Sequence, residues 1–278
     1  MHPFIHILWR DVPSYGIMML AGICAGLLVT TVLCGPLKKN RTINRTDVLL
    51  TSLIAIAGAI TGAYLLRPLI KIVEVAIRWD YFSQVLAGDL INYIFGEIVF
   101  YGGLIGGVAA AMLFCRKFKI SFVAVSDAIA PAIPAGHAIG RIGCLMGGCC
   151  YGIEVDPGHP FAIVYPQQSL LAPHGVPLLA VPVIEAVVLV VISAIVIFAY
   201  VKIQIKGLSV GLYLFQYSIA RFVLEFFRGD ALRGVYGGIS TSQIISMVIF
   251  AASVLWLVYF IRKSKKQHPE NIEVALSG

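Results

Sequence analysis

Four apolar runs of at least 18 residues in this chain contain no Asp, Glu, Lys or Arg: Ile17 to Cys34, Val48 to Leu66, Ile98 to Cys115 and Ile239 to Ile261. A helix of that length crosses a hydrocarbon layer of about 30 Å. Lipid offers no partner for backbone N–H and C=O groups, so chain that enters it must close its hydrogen bonds within helices. Hydrophobic residues make up 59% of the sequence and charged ones 13%, with a mean hydropathy of +0.90, which excludes an ordinary soluble domain. Three more apolar runs carry ionisable groups: Ile120 to Ile139 with Asp127 and His137, Ala180 to Val201 with Glu185, and Leu208 to Phe227 with Arg221 and Glu225. Ionised groups are expensive within a membrane, so these runs read as spans that line something polar. The expected fold is an all-α polytopic membrane protein of seven helices, forming one domain over 1–266 with a disordered cytoplasmic tail over 267–278.

Basic loops resist translocation, and 13 of the 21 Lys and Arg residues fall in four short segments: Lys38 to Arg45, Arg116 to Lys119, Lys202 to Lys206, and Arg262 to Lys266. These segments follow the first, third, fifth and seventh spans, which predicts an outer N-terminus and a cytoplasmic C-terminus. Ahead of the first span, Trp9, Arg10 and Asp11 are unlike the basic start and small-residue cleavage site of a secretory signal, so that span is expected to stay. The net charge of +7 is accounted for by cytoplasmic loops that face anionic lipid, and no nucleic-acid partner is implied.

No repeat relates spans one to three to spans five to seven, which weighs against an inverted-repeat transporter. Two outer segments are long. The first, 68–97, carries Arg78, Trp79, Asp80, Tyr81 and Phe82, a mixture suited to the membrane interface. The second, 147–179, is rich in Gly and Pro and is expected to form a small irregular head. Of the six cysteines, Cys144, Cys149 and Cys150 cluster in sequence, but without a CxxC pair or a histidine at ligand spacing. No metal or other cofactor is therefore expected, and a disulfide on the outer side and packing of small side chains are both open readings.

Three elements carry candidate chemistry. In the sixth span Tyr217, Arg221, Glu225 and Arg228 are spaced four, four and three, which puts them on one face of a continuing helix. Arg221 and Glu225 can pair, which by itself is also how a structural ion pair closes a bundle; a second arginine on the stripe leaves positive charge that seeks an anion. In Pro134 to Gly152, glycines surround Arg141, which has no carboxylate within four residues and suits a phosphate, although snorkelling to headgroups is the bland alternative. Asp127 is expected to hold broken backbone around Pro131 and Pro134, or to serve the site. Tyr101 to Gly107 brings two glycine pairs into the third span, a pattern of tight helix packing or of close ligand approach. Together these elements suggest an anionic lipid headgroup held by arginines.

These stretches resemble the prolipoprotein diacylglyceryl transferase family: Tyr15-Gly16, Tyr101 to Gly106, Val125 to Pro131, Gly140 to Gly143, Tyr217 through Arg228, and Ser240 to Gln243. The resemblance implies a multi-pass enzyme of the bacterial plasma membrane that moves diacylglyceryl from phosphatidylglycerol to the lipobox cysteine of a prolipoprotein signal peptide, forming a thioether and releasing glycerol phosphate. It implies that Arg141 and Arg221 bind the donor phosphate, that Glu225 orients Arg221, and that Tyr101 takes part in catalysis. Tyr15, Gly102, Gly103, Asp127, Gly140, Gly152, Tyr217, Arg228 and Gln243 are implied to build the substrate site. Four positions depart from the family pattern. Tyr101 stands where a histidine is usual, Cys144 and Cys149 stand where Asn and Glu are usual, and Thr61 stands where an arginine is usual. A phenol is a poor base near neutral pH, so Tyr101 suits hydrogen-bond donation. A lipid or small-anion transporter, or a non-catalytic lipid-binding paralogue, would use the same arginines without releasing glycerol phosphate.

Overall fold

A computed structural model of the chain describes residues 4–7, 9–34, 43–77, 100–169, 171–203, 205–230 and 235–267. Its elements in chain order are β1 (Phe4–Ile7), β2 (Arg10–Pro13), α1 (Ser14–Cys34), α2 (Arg45–Ile77), α3 (Phe100–Lys117), α4 (Phe122–Ile129) and α5 (Ala132–Gly147). Then come β3 (Ala162–Val164), β4 (Pro177–Leu179), α6 (Val181–Lys202), α7 (Leu208–Glu225), β5 (Val235–Tyr236), β6 (Ile239–Ser240) and α8 (Thr241–Gln267). The strands form three antiparallel pairs, β1 with β2, β3 with β4, and β5 with β6.

Helix occupies every one of the seven predicted runs, but not always as one span. Ser14–Cys34, Arg45–Lys71, Val181–Lys202 and Thr241–Lys266 are long and apolar enough to cross a membrane, and α4 with α5 makes a fifth span broken by a bend of 44°. The chain is thus a multi-pass, all-α membrane protein, with four or five such spans among the described residues. The remaining two predicted spans, α3 and α7, are 18-residue helices that each carry two ionised residues. Boundaries shift as well. α2 continues through Pro68 to Ile77, into the predicted outer segment, because Leu69 to Ile77 keep an apolar helical composition. α8 starts at Thr241 rather than Ile239, since Ile239 and Ser240 belong to β6. The interfacial residues Arg78 to Phe82 and the tail beyond Gln267 lie outside the described residues.

The chain divides into two compact units, Ile43–Val125 and the combination of Met1–Thr42 with Ser126–Gly278. Within the first, α2 packs on α3 through glycines. A Cβ at Gly106 would stand 2.9 Å from the Gly62 Cα, and one at Gly102 would stand 2.7 Å from the Leu66 Cβ. Such small-residue faces let helix backbones approach closely where lipid offers no hydrophobic drive to associate. Thr51 and Cys115 meet across the same pair, with Oγ1 and Sγ 3.9 Å apart.

The second unit places α1 on α5, α5 on α6, α6 on α7 and α7 on α8. α1 and α5 cross at Gly22 and Gly136, where a Cβ on Gly136 would stand 2.5 Å from the Gly22 carbonyl oxygen. At the break before α5, Ser193 Oγ of α6 donates to the Pro131 carbonyl at 2.9 Å. Asp127, which the sequence suggested for that break or for the site, is engaged elsewhere. It is 1% exposed and caps α7 instead, accepting from Val210 N at 3.1 Å and also from Gly207 N. The α7 N-cap is Gly207 at φ 83, which has no side chain of its own to cap with, so a neighbouring helix supplies the carboxylate. At α8 the sequence Ser240-Thr-Ser-Gln243 forms a capping box: Ser240 N donates to Gln243 Oε1 at 2.9 Å, and Gln243 N donates to Ser240 Oγ at 3.2 Å.

Gly136→Val should lower stability by about 1–3 kcal/mol through overpacking, read as a reduced Tm in detergent. Gly16→Ala, with nothing within 4 Å of its added Cβ, should stay within about 0.5 kcal/mol of the parent. Asp127→Ala should cost about 0.5–2 kcal/mol as a lost cap, read as a reduced Tm in detergent.

Candidate functional site

The polar residues of the larger unit gather where α5, α6 and α7 pack. Arg141 projects from α5 and pairs with Glu185 of α6, Nη2 to Oε1, at 2.8 Å. The Tyr217 hydroxyl on α7 donates to the same Oε1 at 3.4 Å. One turn on, Arg221 pairs with Glu225 at 2.9 Å, and its Nη2 also donates to Ser242 Oγ at the start of α8, at 3.1 Å. His137, one turn before Arg141, packs edge-on to Tyr217 with ring centroids 5.4 Å apart. Both guanidinium groups lie within electrostatic reach of His137 and Tyr217, so the two arginines share one neighbourhood. Tyr213 stacks on Tyr217 from the turn before, at 5.9 Å.

Glu185 and Glu225 are 1% and 5% exposed, and ionised groups buried to that degree need compensation. The pairs supply most of it. What remains is directional, because Arg141 Nε, Arg221 Nη1 and Glu185 Oε2 are buried without a hydrogen-bond partner among the described residues. Each unfilled buried donor or acceptor costs about 1–3 kcal/mol. Two N–H groups left open in one polar cluster are suited to receive a ligand that carries acceptor oxygens.

Several sequence-based expectations are corrected here. Arg141 does have a carboxylate, contributed by α6, a pairing that separation along the chain conceals. Arg228 does not continue the α7 stripe, because the helix ends at Glu225 and the chain turns through Phe226 and Phe227. Arg228 then binds Asp230 with two hydrogen bonds, of 3.0 and 2.7 Å. The three arginines are therefore matched by three carboxylates, and no surplus of positive charge stands on the stripe. Asp127 is engaged at Gly207, 14 residues before Arg221 and so about 21 Å away along α7, and belongs to the far end of that helix.

The other residues implied by resemblance fall into three groups. Tyr15 of α1, 42% exposed, lies within electrostatic reach of Arg141 and lies against Gly143, whose added Cβ would stand 3.5 Å from the Tyr15 ring. Gly140 is buried beside Met19, and Gly152 is a crossing point of backbone. There Gly152 N donates to Leu179 O at 2.9 Å and Gly229 N donates to Tyr151 O at 3.0 Å, so the outer segment is tied both to β4 and to the chain leaving α7. Gln243 has its carbonyl in the α8 cap, which also positions the neighbouring Ser242. Gly102 and Gly103 pack against α2 in the smaller unit, and Tyr101 stands on the same helix, 42% exposed. Glu185, His137 and Ser242 were not singled out as site residues. His137 could have been found from its i, i+4 spacing to Arg141; Glu185 was visible as an ionised residue in a span, but its partner was not.

Beyond α5, the segment 148–179 forms the expected small head, mostly irregular but with β3 and β4 paired within it. Its centre is Tyr165, 1% exposed and packed with Ala172 and Leu178. Burial pushes the Tyr165 phenol above its ordinary pKa, and the nearby thiols of Cys149, Cys150 and Cys144 add to this.

A family profile described as prolipoprotein diacylglyceryl transferase matches residues 3–259. Among curated proteins, the phosphatidylglycerol–prolipoprotein diacylglyceryl transferase 2 of Clostridium perfringens is 33% identical over 256 residues, covering 91% of both chains. The phosphatidylglycerol–prolipoprotein diacylglyceryl transferase of Clostridium tetani is 27% identical, covering 91% of this chain and 94% of its own. That of Escherichia coli O1:K1 is 35% identical over 211 residues, 67% of this chain and 72% of its own. A profile match that takes in α1, the arginine pairs and most of α8 leaves no part of the polar cluster outside it, and the chain belongs to the prolipoprotein diacylglyceryl transferase family.

Proposed function

We propose that this chain transfers the diacylglyceryl group of phosphatidylglycerol to the lipobox cysteine of prolipoproteins in the bacterial plasma membrane. The observation that carries the reading is the pair of buried N–H groups, Arg141 Nε and Arg221 Nη1, left open beside two arginine–glutamate pairs. Family membership supports the reaction, and the distribution of Lys and Arg supports seven passes with the N-terminus outside and the C-terminus in the cytoplasm.

In the reaction the cysteine sulfur attacks the glyceryl carbon that bears the phosphate oxygen. The S–C bond forms as the C–O bond breaks, glycerol phosphate leaves with the bonding electrons, and the thiol proton is given up. Negative charge therefore grows on the phosphate oxygens, where fixed N–H donors in a water-poor site stabilise it most. The carboxylates neutralise the arginines in the resting protein, so the donor phosphate is recognised by unfilled hydrogen bonds more than by net charge. Glu225 and Ser242 hold Arg221 in place, while Glu185 and Tyr217 do so for Arg141. The same open N–H donors, by hydrogen-bonding to an anion, favour the thiolate over the thiol, whose ordinary pKa is about 8.5.

Incubating purified protein with phosphatidylglycerol vesicles and a lipobox peptide should give, by mass spectrometry, a peptide heavier by one diacylglyceryl group together with free glycerol phosphate. Arg221→Ala should reduce the rate by about 100- to 1,000-fold, the effect of losing one donor to a developing oxyanion; retained turnover would discard the reading. Glu185→Ala should lower stability by about 3–5 kcal/mol, because Arg141 is left buried without its partner. The double variant Arg141→Met/Glu185→Leu separates scaffold from chemistry: Tm should recover while transfer stays lost, whereas a merely structural ion pair would let both recover.

A further inference from the structure

α5 ends at Gly147, and Gly148 at φ 70 turns the chain back, its N–H capping the helix on the carbonyls of Cys144 and Leu145. Cys149 N then donates to Cys144 O at 3.0 Å, and Cys150 adopts φ 59, an uncommon backbone for a residue with a side chain. The turn folds Cys149 and Cys150 over the last turn of α5. The sulfur atoms of Cys144, Cys149 and Cys150 consequently lie within 4.8 Å of one another, and all three are free thiols. The spacing of four residues and then none gives no ligand signature in sequence; the glycine turn creates the cluster.

Tyr165 packs beside this turn. It is 1% exposed, its hydroxyl has no hydrogen-bond partner among the described residues, and it lies within electrostatic reach of all three thiols. Its ring lies against the turn, 3.4 Å from where a Gly148 Cβ would be. Neutral thiols are weak acceptors, whereas a metal-bound thiolate accepts readily. Tetrahedral zinc with Zn–S bonds of about 2.3 Å needs sulfurs about 3.8 Å apart, so the cluster has to contract by no more than about 1 Å. Charge also fits. Three thiolates and one divalent zinc sum to one negative charge, beside Arg228 and Arg141, both within reach of Cys150.

We propose that Cys144, Cys149 and Cys150 bind one zinc ion as thiolates, with Tyr165 donating a hydrogen bond to the thiolate set and the fourth coordination position open. Three S–H bonds are exchanged for three S–Zn bonds, three protons pass to solvent, and nothing is oxidised or reduced. Bound zinc ties the end of α5 to the head segment that crosses Arg228 at Gly152.

The test uses the full chain in detergent, reduced and stripped with a chelator, then titrated with cobalt as the probe and back-titrated with zinc. One cobalt per chain should bind with thiolate-to-metal charge-transfer absorption, and one equivalent of zinc should displace it. Cys149→Ser and Cys150→Ser should abolish that absorption, and Tyr165→Phe should weaken binding roughly 10- to 100-fold. Cys24→Ser, on an exposed cysteine of α1, should change nothing. Proton release on zinc addition to the unsubstituted protein provides a reading that needs no variant to fold. The proposal is overturned by absent charge transfer, by an unchanged signal in both serine variants, or by a disulfide among these cysteines in protein isolated without reductant.

Discussion

An arginine or a glutamate that enters an apolar helical bundle has to find a partner of opposite charge, and the larger unit is arranged around that requirement. Glu185 on α6 accepts from Arg141 on α5 and from Tyr217 on α7, so one buried carboxylate draws three helices together. The Arg221 pair is built within α7 and extended to α8 through Ser242. Hydrocarbon around these groups makes each hydrogen bond stronger and each missing one more expensive. Packing and chemistry are consequently hard to separate: the contacts that hold the helices in register also fix the directions in which the remaining N–H groups point.

Backbone proximity is the second requirement. Side chains are removed where helices must touch, at Gly22 with Gly136 and at Gly62 with Gly106, and where the head crosses the end of α7 at Gly152 and Gly229. Glycine thus has separate tasks in this chain. In α1, α2, α3 and α5 it permits helix contact, at 148 it reverses the chain in the left-handed region, and at 207 it starts α7 with a cap borrowed from Asp127. The glycine pairs in α3 read more readily as a helix face than as a ligand site, and Gly102 and Gly103 do lie against α2.

Much of this was legible in the sequence because hydrophobic length and helical period are local properties. The described helices all fall on the predicted apolar runs, although not their extensions or the break between α4 and α5, and the Arg221–Glu225 pair followed from its spacing of four. Failures occurred where one residue's partner lies far along the chain. Arg141 looked unpaired because Glu185 is 44 residues away, and the α7 cap that Asp127 provides at Gly207 and Val210 lies some 80 residues along the chain, beyond the reach of either the proline or the site reading. Arg228 was placed on the α7 face because spacing cannot register that the helix stops three residues earlier. Cys144, Cys149 and Cys150 were visible as a cluster in sequence but without a ligand signature, since only the reversal at Gly148 brings their sulfurs together.

α7 is fastened at both ends. Asp127 holds its first turn, where Trp256 Nε1 also donates to the Gly207 carbonyl at 2.8 Å, and at the other end Ile153 N donates to Phe227 O at 2.9 Å. A rod pinned at both ends neither slides nor rotates about its axis without breaking one of the fastenings. The Arg221 guanidinium is in that sense a stationary post, whose position is set by both ends of the helix that carries it.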